Sequence, residues 1–451
     1  MAGVSGELAE AVIDLTAIAD NVRTISAVAR TGLMAVVKAD GFGHGAEPVA
    51  RAALAAGVSW LGVTSTTEAL VLRTAGIRAP MLSWLHRPNE DFTRLISADV
   101  DIAVSTVAHL HTVAAAGMRL GVPAMVQLKA DVGLSRNGAV SGDWPELVAW
   151  ARKYEVEGGL RVRGVWSHLT NAEAELTNAE PASTSLDAGT SRDASASLGA
   201  GAGAGTSTSA GTSLDAGPIT STARQTATFL DALQVARGAG LAPELVHLAN
   251  SAAALAAPAA RFDLCRIGVA LYGVDPFGAT GPGRFGLRPA MTLRTSVINV
   301  KRVPAGSGVS YGPEYVTGRP TTLALIPLGY ADGLSRTTEG RASVWLGGRR
   351  CRIVGRIAMD QCVVDAGDLP VALGDPVVVF GPDPDASNRA ASSASVVPFD
   401  RADSFDQADP GSSDLTVPTV AEWSRWAGTN PHEVLTGIGS RVARAYIDGE
   451  R

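Results

Sequence analysis

The chain has 451 residues, 46% of them apolar and 18% charged, and a formal net charge of −6. That length is more than one ordinary hydrophobic core holds, so two domains are the expectation. With no Lys/Arg cluster and no run of ~20 apolar residues, the chain argues against nucleic-acid partners, anionic membranes and a membrane-spanning segment. The opening stretch, Met1 to Glu10, lacks a basic n-region and a long apolar core, so no signal peptide is expected. Cys265, Cys351 and Cys362 are widely spaced, with no CxxC pair. They fit a reducing cytoplasm and predict neither a disulfide framework nor a metal site.

In chain order, Ile18, Val22, Ile25 and Ala29 are spaced to share one helix face. An apolar run from Met34 to Val37 then ends in Lys38, and Gly41, Gly43 and Gly45 mark a tight turn after it. The run has the length of a buried parallel strand. A lysine at its carboxyl end would sit where α/β proteins keep their chemistry. One strand-end lysine usually just reaches solvent, so the rest of the chain has to decide. Further β-rich runs lie at 60–63, 80–85, 101–105, 124–129, 162–168, 245–250 and 263–267. Helical patterns separate them; Val107, Leu110 and Ala114 share a face, and Gly57, Gly76, Gly121 and Gly240 stand where helices should stop. Residues of about 178–217 are mostly Ala, Ser, Thr, Gly and Asp, with almost no large apolar side chain, and read as a disordered insert. With that insert set aside, eight β-runs alternating with helices predict a (β/α)8 TIM-type barrel over 10–283. A doubly wound open sheet is the alternative. Lys38, Lys129, His168, Asn250 and Arg266 all fall at the carboxyl ends of predicted strands. Each alone has a plain structural explanation, but side chains from five different strands on one rim point to a site.

Beyond residue 284 the helical period fades. β-rich segments take over at 291–300, 321–328, 342–346, 351–357, 362–365 and 376–380. A mainly β domain is predicted over 284–451, joined by residues 1–9. It carries a second disordered insert at about 382–414 and a terminal helix from near Val417 with Trp423 and Trp426. Two glycine-flanked loops hold Tyr311 and Tyr330.

Val37-Lys38-Ala39-Asp40 followed by Gly43-His44-Gly45 resembles the pyridoxal 5'-phosphate (PLP) attachment motif of alanine racemases. The resemblance continues through Leu134–Gly138, His247–Ser251, Arg266–Gly273, Val309–Gly312, Gly329–Gly333 and Ala358–Gln361, in order and across both domains. It implies that Lys38 carries the cofactor and acts as one base in the interconversion of L- and D-alanine. Tyr311, from the partner subunit of a homodimer, would be the other base, on the opposite face of Cα. His168 would stack beside the cofactor ring and, with Arg266, polarise Tyr311. Arg266 would face the pyridine nitrogen. Asn250, Ser251 and the backbone N–H groups of Gly268 and Val269 would hold the cofactor, Ser251 at its phosphate. Arg136 and the Met359 N–H would bind the substrate carboxylate, with Tyr330 on the substrate side. Lys129 matches a lysine that the family can carbamylate, a negative charge that would hold Arg136. The implied setting is D-alanine supply for peptidoglycan.

The sequence departs from the family pattern in places. Phe42 stands where the motif commonly has a tyrosine that reaches the phosphate. Val132 replaces a frequent threonine, and Ser440, within Gly437–Arg441, stands where some members bring a second tyrosine. Losing a phosphate hydrogen bond costs ~1 kcal/mol. That bears on cofactor retention and inhibitor tolerance and removes neither base. The alternatives are a broader serine or amino acid racemase, a decarboxylase of related architecture (which Arg266 opposes), and a PLP- or inhibitor-binding protein with little turnover.

Overall fold

The computed structural model describes residues 7–170, 172, 222–278, 283, 285–312, 314–382 and 415–448. The predicted insert at about 178–217 and residues 383–414 of the other lie outside the described residues.

Strand β1 (Ala9–Asp14) alternates buried Ala9, Ala11 and Ile13 with more polar positions. Asp14 then accepts a hydrogen bond from the Ala17 N–H (2.9 Å) and caps the helix Leu15–Ala29. Ile18, Val22, Ile25 and Ala29 are buried along it, as their spacing predicts. The barrel strands follow: β2 (Gly32–Val36), β3 (Trp60–Val63), β4 (Met81–Ser83), β5 (Asp101–Val104), β6 (Ala124–Lys129), β7 (Leu160–Trp166), β8 (Leu245–His247) and β9 (Leu264–Ile267). They form one sheet in the order 8-7-6-5-4-3-2-9, every pair parallel. The two ends are tied by Asp263 N–H to Val246 C=O and Arg266 N–H to Ala249 C=O, both 3.0 Å. This excludes the doubly wound alternative, because β8 and β9 face each other across the seam.

The second domain contains β10 (Met291–Ser296), β11 (Asn299–Val303), β12 (Gly308–Val309), β13 (Tyr315–Val316), β14 (Thr321–Ile326), β15 (Ser343–Leu346), β16 (Arg349–Val354), β17 (Cys362–Gly367), β18 (Pro376–Phe380) and β19 (Ala443–Ile447). Nine strands form its sheet, in the order 11-14-17-16-15-18-10-1-19. β1 lies inside it, antiparallel to β10 and parallel to β19. The expected barrel start at residue 10 therefore falls within β1. The reason is packing: Ala9, Ala11 and Ile13 join the apolar core of the β domain, not that of the barrel. The run read as 291–300 is two strands, bent at Val297–Ile298. The terminal helix starts later than Val417, at Val420, where Thr419 and Glu422 form a capping box. A further helix, Pro431–Gly437, and strand β19 follow it, neither of them anticipated. Among the described residues no helix is long and apolar enough to cross a membrane.

Candidate active site

A cavity of about 550 Å³ opens at the carboxyl ends of the barrel strands. Lys38, Phe42, Lys129, Arg136 and His168 line it, and so do Asn250, Ser251, Arg266, Gly268 and Val269. The strand-end register had placed five of these, Lys38, Lys129, His168, Asn250 and Arg266, on one rim.

Lys38 follows β2 directly. The chain then turns left-handed through Ala39 (φ 52°), Asp40 (51°), Gly41 (61°), Phe42 (53°) and Gly43 (79°). Non-glycine residues each pay roughly 1–2 kcal/mol for that region, so the turn has to be held. Glu68 accepts from the Ala39 N–H (2.8 Å) and the Thr64 N–H (2.6 Å). The Asp40 carboxylate accepts from the Ala46 N–H (2.8 Å). From the other domain, Arg444 donates to the Gly43 carbonyl at 3.0 Å. Burial, and then the Arg136 charge, lowers the Lys38 pKa from the usual lysine range.

Arg266 is buried, with no carboxylate paired to it among the described residues. Nη1 donates to His247 Nδ1 (3.0 Å) and the His247 carbonyl (3.2 Å). Nη2 donates to the carbonyls of Ser167 (2.7 Å) and Leu248 (2.9 Å) and to His168 Nδ1 (3.2 Å). The Nε–H has no acceptor among the described residues. An arginine only donates, so both imidazoles accept on Nδ1 and carry their hydrogen on Nε2. Burial and the Arg266 charge hold both histidines well below the usual histidine range. Burial brings Arg266 itself down to about 9, which leaves it charged near neutrality.

Lys129, buried at the end of β6, has its Nζ 4.4 Å from the centre of the Trp166 ring. Burial, then Arg266 and Arg136, push its pKa to about 8 against the pull of Asp131. That leaves a useful fraction of nucleophilic amine near neutral pH. Ser251 Oγ accepts from the N–H groups of Gly268 (3.0 Å) and Ala270 (3.4 Å). Asn250 caps the helix Ser251–Ala256 by accepting from the Ala253 N–H at 3.0 Å. The Phe42 ring lies 4.7 Å from that of Tyr272. Its tip is against Gly268, where an added Cβ would meet Phe42 Cζ at 3.3 Å.

Tyr311, Met359 and Tyr330 do not reach this cavity; they are 70%, 52% and 43% exposed. They stand on loops that are tied together. Ser310 Oγ donates to the Arg356 carbonyl (2.7 Å), and the N–H groups of Tyr330 and Ala331 donate to the carbonyls of Ala358 (3.0 Å) and Met359 (2.9 Å). Val132 is buried in the barrel core, away from the cavity lining. Ser440 is exposed and also off the cavity. Its neighbours serve elsewhere: Arg441 pairs with Asp332 (3.1 Å) and Asp360 (2.6 Å). The C-terminal residue that does line the cavity is His432, its ring 5.7 Å from Phe42. The sequence held one signal for it, since Asn430-Pro431 is a cap-and-first-turn pair that announces a second helix. Val36, Trp166, Trp84, Leu85, Thr64 and Asn137, also unforeseen as site residues, complete the lining.

Comparison with known proteins agrees with this geometry. The family described as alanine racemase, N-terminal domain, matches residues 13–276, and alanine racemase, C-terminal domain, matches 290–399. An alanine racemase of Frankia casuarinae is 43% identical over 441 residues, covering 97% of this chain and 96% of that protein. The solved alanine racemase of D-cycloserine-producing Streptomyces lavendulae is 38% identical, with a TM-score of 0.79 and 99% of each chain covered. That of Bartonella henselae, solved with covalently bound pyridoxal phosphate, is 25% identical, with a TM-score of 0.72 over 98% of this chain and 99% of that one. A barrel with a lysine-bearing left-handed turn at its mouth, a β domain built around the first and last strands, and matches to both family domains lead to one conclusion: the chain belongs to the alanine racemase family of isomerases.

Proposed function

We propose that the chain interconverts L- and D-alanine with PLP held on Lys38, in a homodimer where each site takes one base from each subunit. The observation that carries this reading is the division of the candidate residues. Lys38 sits in a cation-rich cavity on the barrel, while Tyr311 stands 70% exposed beside Tyr330 and Met359 on the other domain, outside that cavity. Three large exposed side chains on linked loops form the kind of surface that a partner covers.

The residues present suit the cofactor. Lys38 offers the amine, Ser251 and the Gly268 and Val269 backbone suit a phosphate, and the Arg266 Nε–H has no acceptor among the described residues. When bound, PLP supplies an electron sink that acidifies the amino acid's Cα–H. Arg136 would bind and orient the substrate carboxylate, with the Met359 N–H of the partner subunit beside it. Lys38 takes or returns the proton on one face, and Tyr311 of the partner subunit does so on the other. His168 keeps its hydrogen on Nε2, because Nδ1 accepts from Arg266. That hydrogen is available to the phenol oxygen and eases its deprotonation. Arg266 would face the ring nitrogen and donate to it without giving up its proton. Carbamylation of Lys129 would turn a cation beside Arg136 into an anion that holds it. The product would serve peptidoglycan synthesis in the cytoplasm.

Subunit mixing tests the arrangement. Lys38→Ala and Tyr311→Phe homodimers should each be nearly inactive, the latter losing roughly 10²–10⁴ in rate. In a mixed dimer, one site combines intact Lys38 with intact Tyr311. An equimolar mixture should therefore recover about a quarter of wild-type activity. No recovery, despite demonstrated heterodimers, would sink the shared site.

A further inference from the structure

Arg266 is a buried cation whose partners are carbonyl dipoles and two imidazoles. A charge so placed is costly unless its surroundings answer it. One of those imidazoles leads further. His247 Nε2 donates to Gln127 Oε1 at 2.7 Å. Gln127 Nε2 donates to Asp101 Oδ2 at 2.8 Å. The other Asp101 oxygen accepts from Arg163 at 2.7 Å, and the Arg163 guanidinium lies 5.7 Å from the centre of the Trp60 ring. His247 and Gln127 are fully buried and Asp101 is 1% exposed. Asp101 is the first residue of β5, at the opposite end of the barrel from the cavity. A continuous polar file thus crosses a barrel interior otherwise filled by Met34, Trp60, Leu82, Ala103, Trp166 and Leu264.

We propose that His247, Gln127 and Asp101 form a positioning relay that sets the aim of Arg266 toward the cavity from the far end of the barrel. The file has only one self-consistent direction. Ionised Asp101 only accepts, so Gln127 must turn its amide nitrogen to it and its oxygen to His247. His247 must then donate from Nε2 and accept on Nδ1, the one tautomer that takes a hydrogen bond from Arg266. Starting from Arg266, which only donates, gives the same answer. The reversed imidazole would set two donors face to face and turn the guanidinium away. Trp166 fixes the planes, stacking on His247 at 5.5 Å and 6° with Arg266 5.0 Å from its centre. Stability alone does not require the link. The Asp101–Arg163 pair could close the barrel base, and apolar side chains could fill the middle. What the file adds is an anion at one end whose effect reaches the cation at the other. Asp101 is accordingly a positioning residue, acting through Arg266.

The relay rests on the proposed function only for what Arg266 faces; the tautomer of His247 stands independently. The test is imidazole ¹⁵N NMR of the holoenzyme labelled with [¹⁵N]histidine, His247 being assigned by its loss in His247→Gln. The wild type should show an unprotonated Nδ1 and a protonated Nε2. In Asp101→Asn the His247 signals should move toward a tautomer mixture, and the visible absorbance of the bound cofactor should shift. The same variant should lower kcat about tenfold and leave KM for alanine within about twofold. Combined with Arg266→Lys, which removes the fork, Asp101→Asn should add no further spectral change. A protonated Nδ1 in the wild type overturns the relay, and that measurement needs no variant to fold. So does an Asp101→Asn holoenzyme with unaltered tautomer and absorbance, or one whose effect persists in the Arg266→Lys background. Failure of the cofactor reading would show differently: borohydride would trap no cofactor on Lys38, whatever the histidine signals do.

Discussion

Phe42 is the residue whose chemistry most clearly separates this chain from the motif it carries. Its ring packs between Tyr272 (4.7 Å) and His432 (5.7 Å), with Cζ against Gly268 in the cavity wall. A hydroxyl on Cζ would enter the region where Ser251, Gly268 and Val269 suit a phosphate. Phe42→Tyr should therefore tighten PLP by ~1 kcal/mol, about fivefold in Kd, with little change in kcat. Fluorescence titration of the apoenzyme measures it, and unchanged or weaker binding would show that the hydroxyl finds no partner there. Phe42 was legible as a departure because a local motif surrounds it. His432 was not, because its place beside Phe42 depends on a helix folding back across some 390 residues of sequence. Arg441, next to Ser440, pairs with Asp332 and Asp360, so this stretch ties loops of the β domain together.

The turn from Lys38 to Gly43 shows how an element is held against its own preferences. Gly43 sits at φ 79°, and a Cβ added there would lie 2.5 Å from the Leu435 carbonyl oxygen on the helix Pro431–Gly437. The obstacle is backbone and cannot swing aside. Gly57 makes a useful comparison, with φ 107° and nothing within 4 Å of an added Cβ. Gly57→Ala should cost about 1 kcal/mol from backbone strain alone. Gly43→Ala should cost at least ~2 kcal/mol more and loosen the cofactor, since it parts the lysine turn from the β domain. Thermal unfolding of the two variants isolates that contact by difference. Equal losses would mean that the turn does not depend on its neighbour. The barrel elements themselves were readable from the 3.6-residue period of the helices and from the short continuous apolar runs between them. β1 was assigned too little and β19 not at all, because the sheet a strand joins is set by its partners, not by its own pattern.

At the scale of the molecule, buried histidines make the fold sensitive to acid. His44 is fully buried, donates from Nδ1 to the Phe42 carbonyl (2.9 Å), and is held at about 4 by burial. His247, also fully buried, lies well below the usual histidine range. Both are neutral in the fold, whereas the unfolded chain protonates them near pH 6.5. Below that pH the unfolded state binds more protons, and each histidine lowers stability by about 1.4 kcal/mol per pH unit. Asp101 works the other way. Burial raises it to about 6, so the folded state takes up its proton first and gains stability as pH falls from about 6 to its unfolded value. His168, held well below the usual histidine range, and His86 and His109, held at about 4, act in the same direction, so the imidazoles outweigh the one carboxylate and stability falls as pH drops from 6 toward 4. The melting temperature should therefore be lower at pH 5 than at pH 7, and a flat profile in differential scanning calorimetry would contradict the neutral assignment. Dilution bears on the same scale: if Tyr311 of the partner subunit completes each site, activity should fall in step with dimer in analytical ultracentrifugation, and a fully active monomer would refute the arrangement.

By itself the sequence determined the alternation of eight strands with helices, the change to β texture after residue 284, and the rim of Lys38, Lys129, His168, Asn250 and Arg266. These follow from short-range periodicity and from residues at the ends of apolar runs, which any chain displays locally. The tertiary structure decided the rest. It placed β1 in the second sheet, His432 in the cavity wall, and Tyr311 out on the surface away from its own chain's lysine. It also lined up Arg266, His247, Gln127 and Asp101 through the barrel, four residues on four strands with nothing in their spacing to announce it. The physical reason is that a hydrogen bond needs its partners within about 3 Å and correctly aimed, a condition set by how the strands are staggered and not by the distance between residues along the chain.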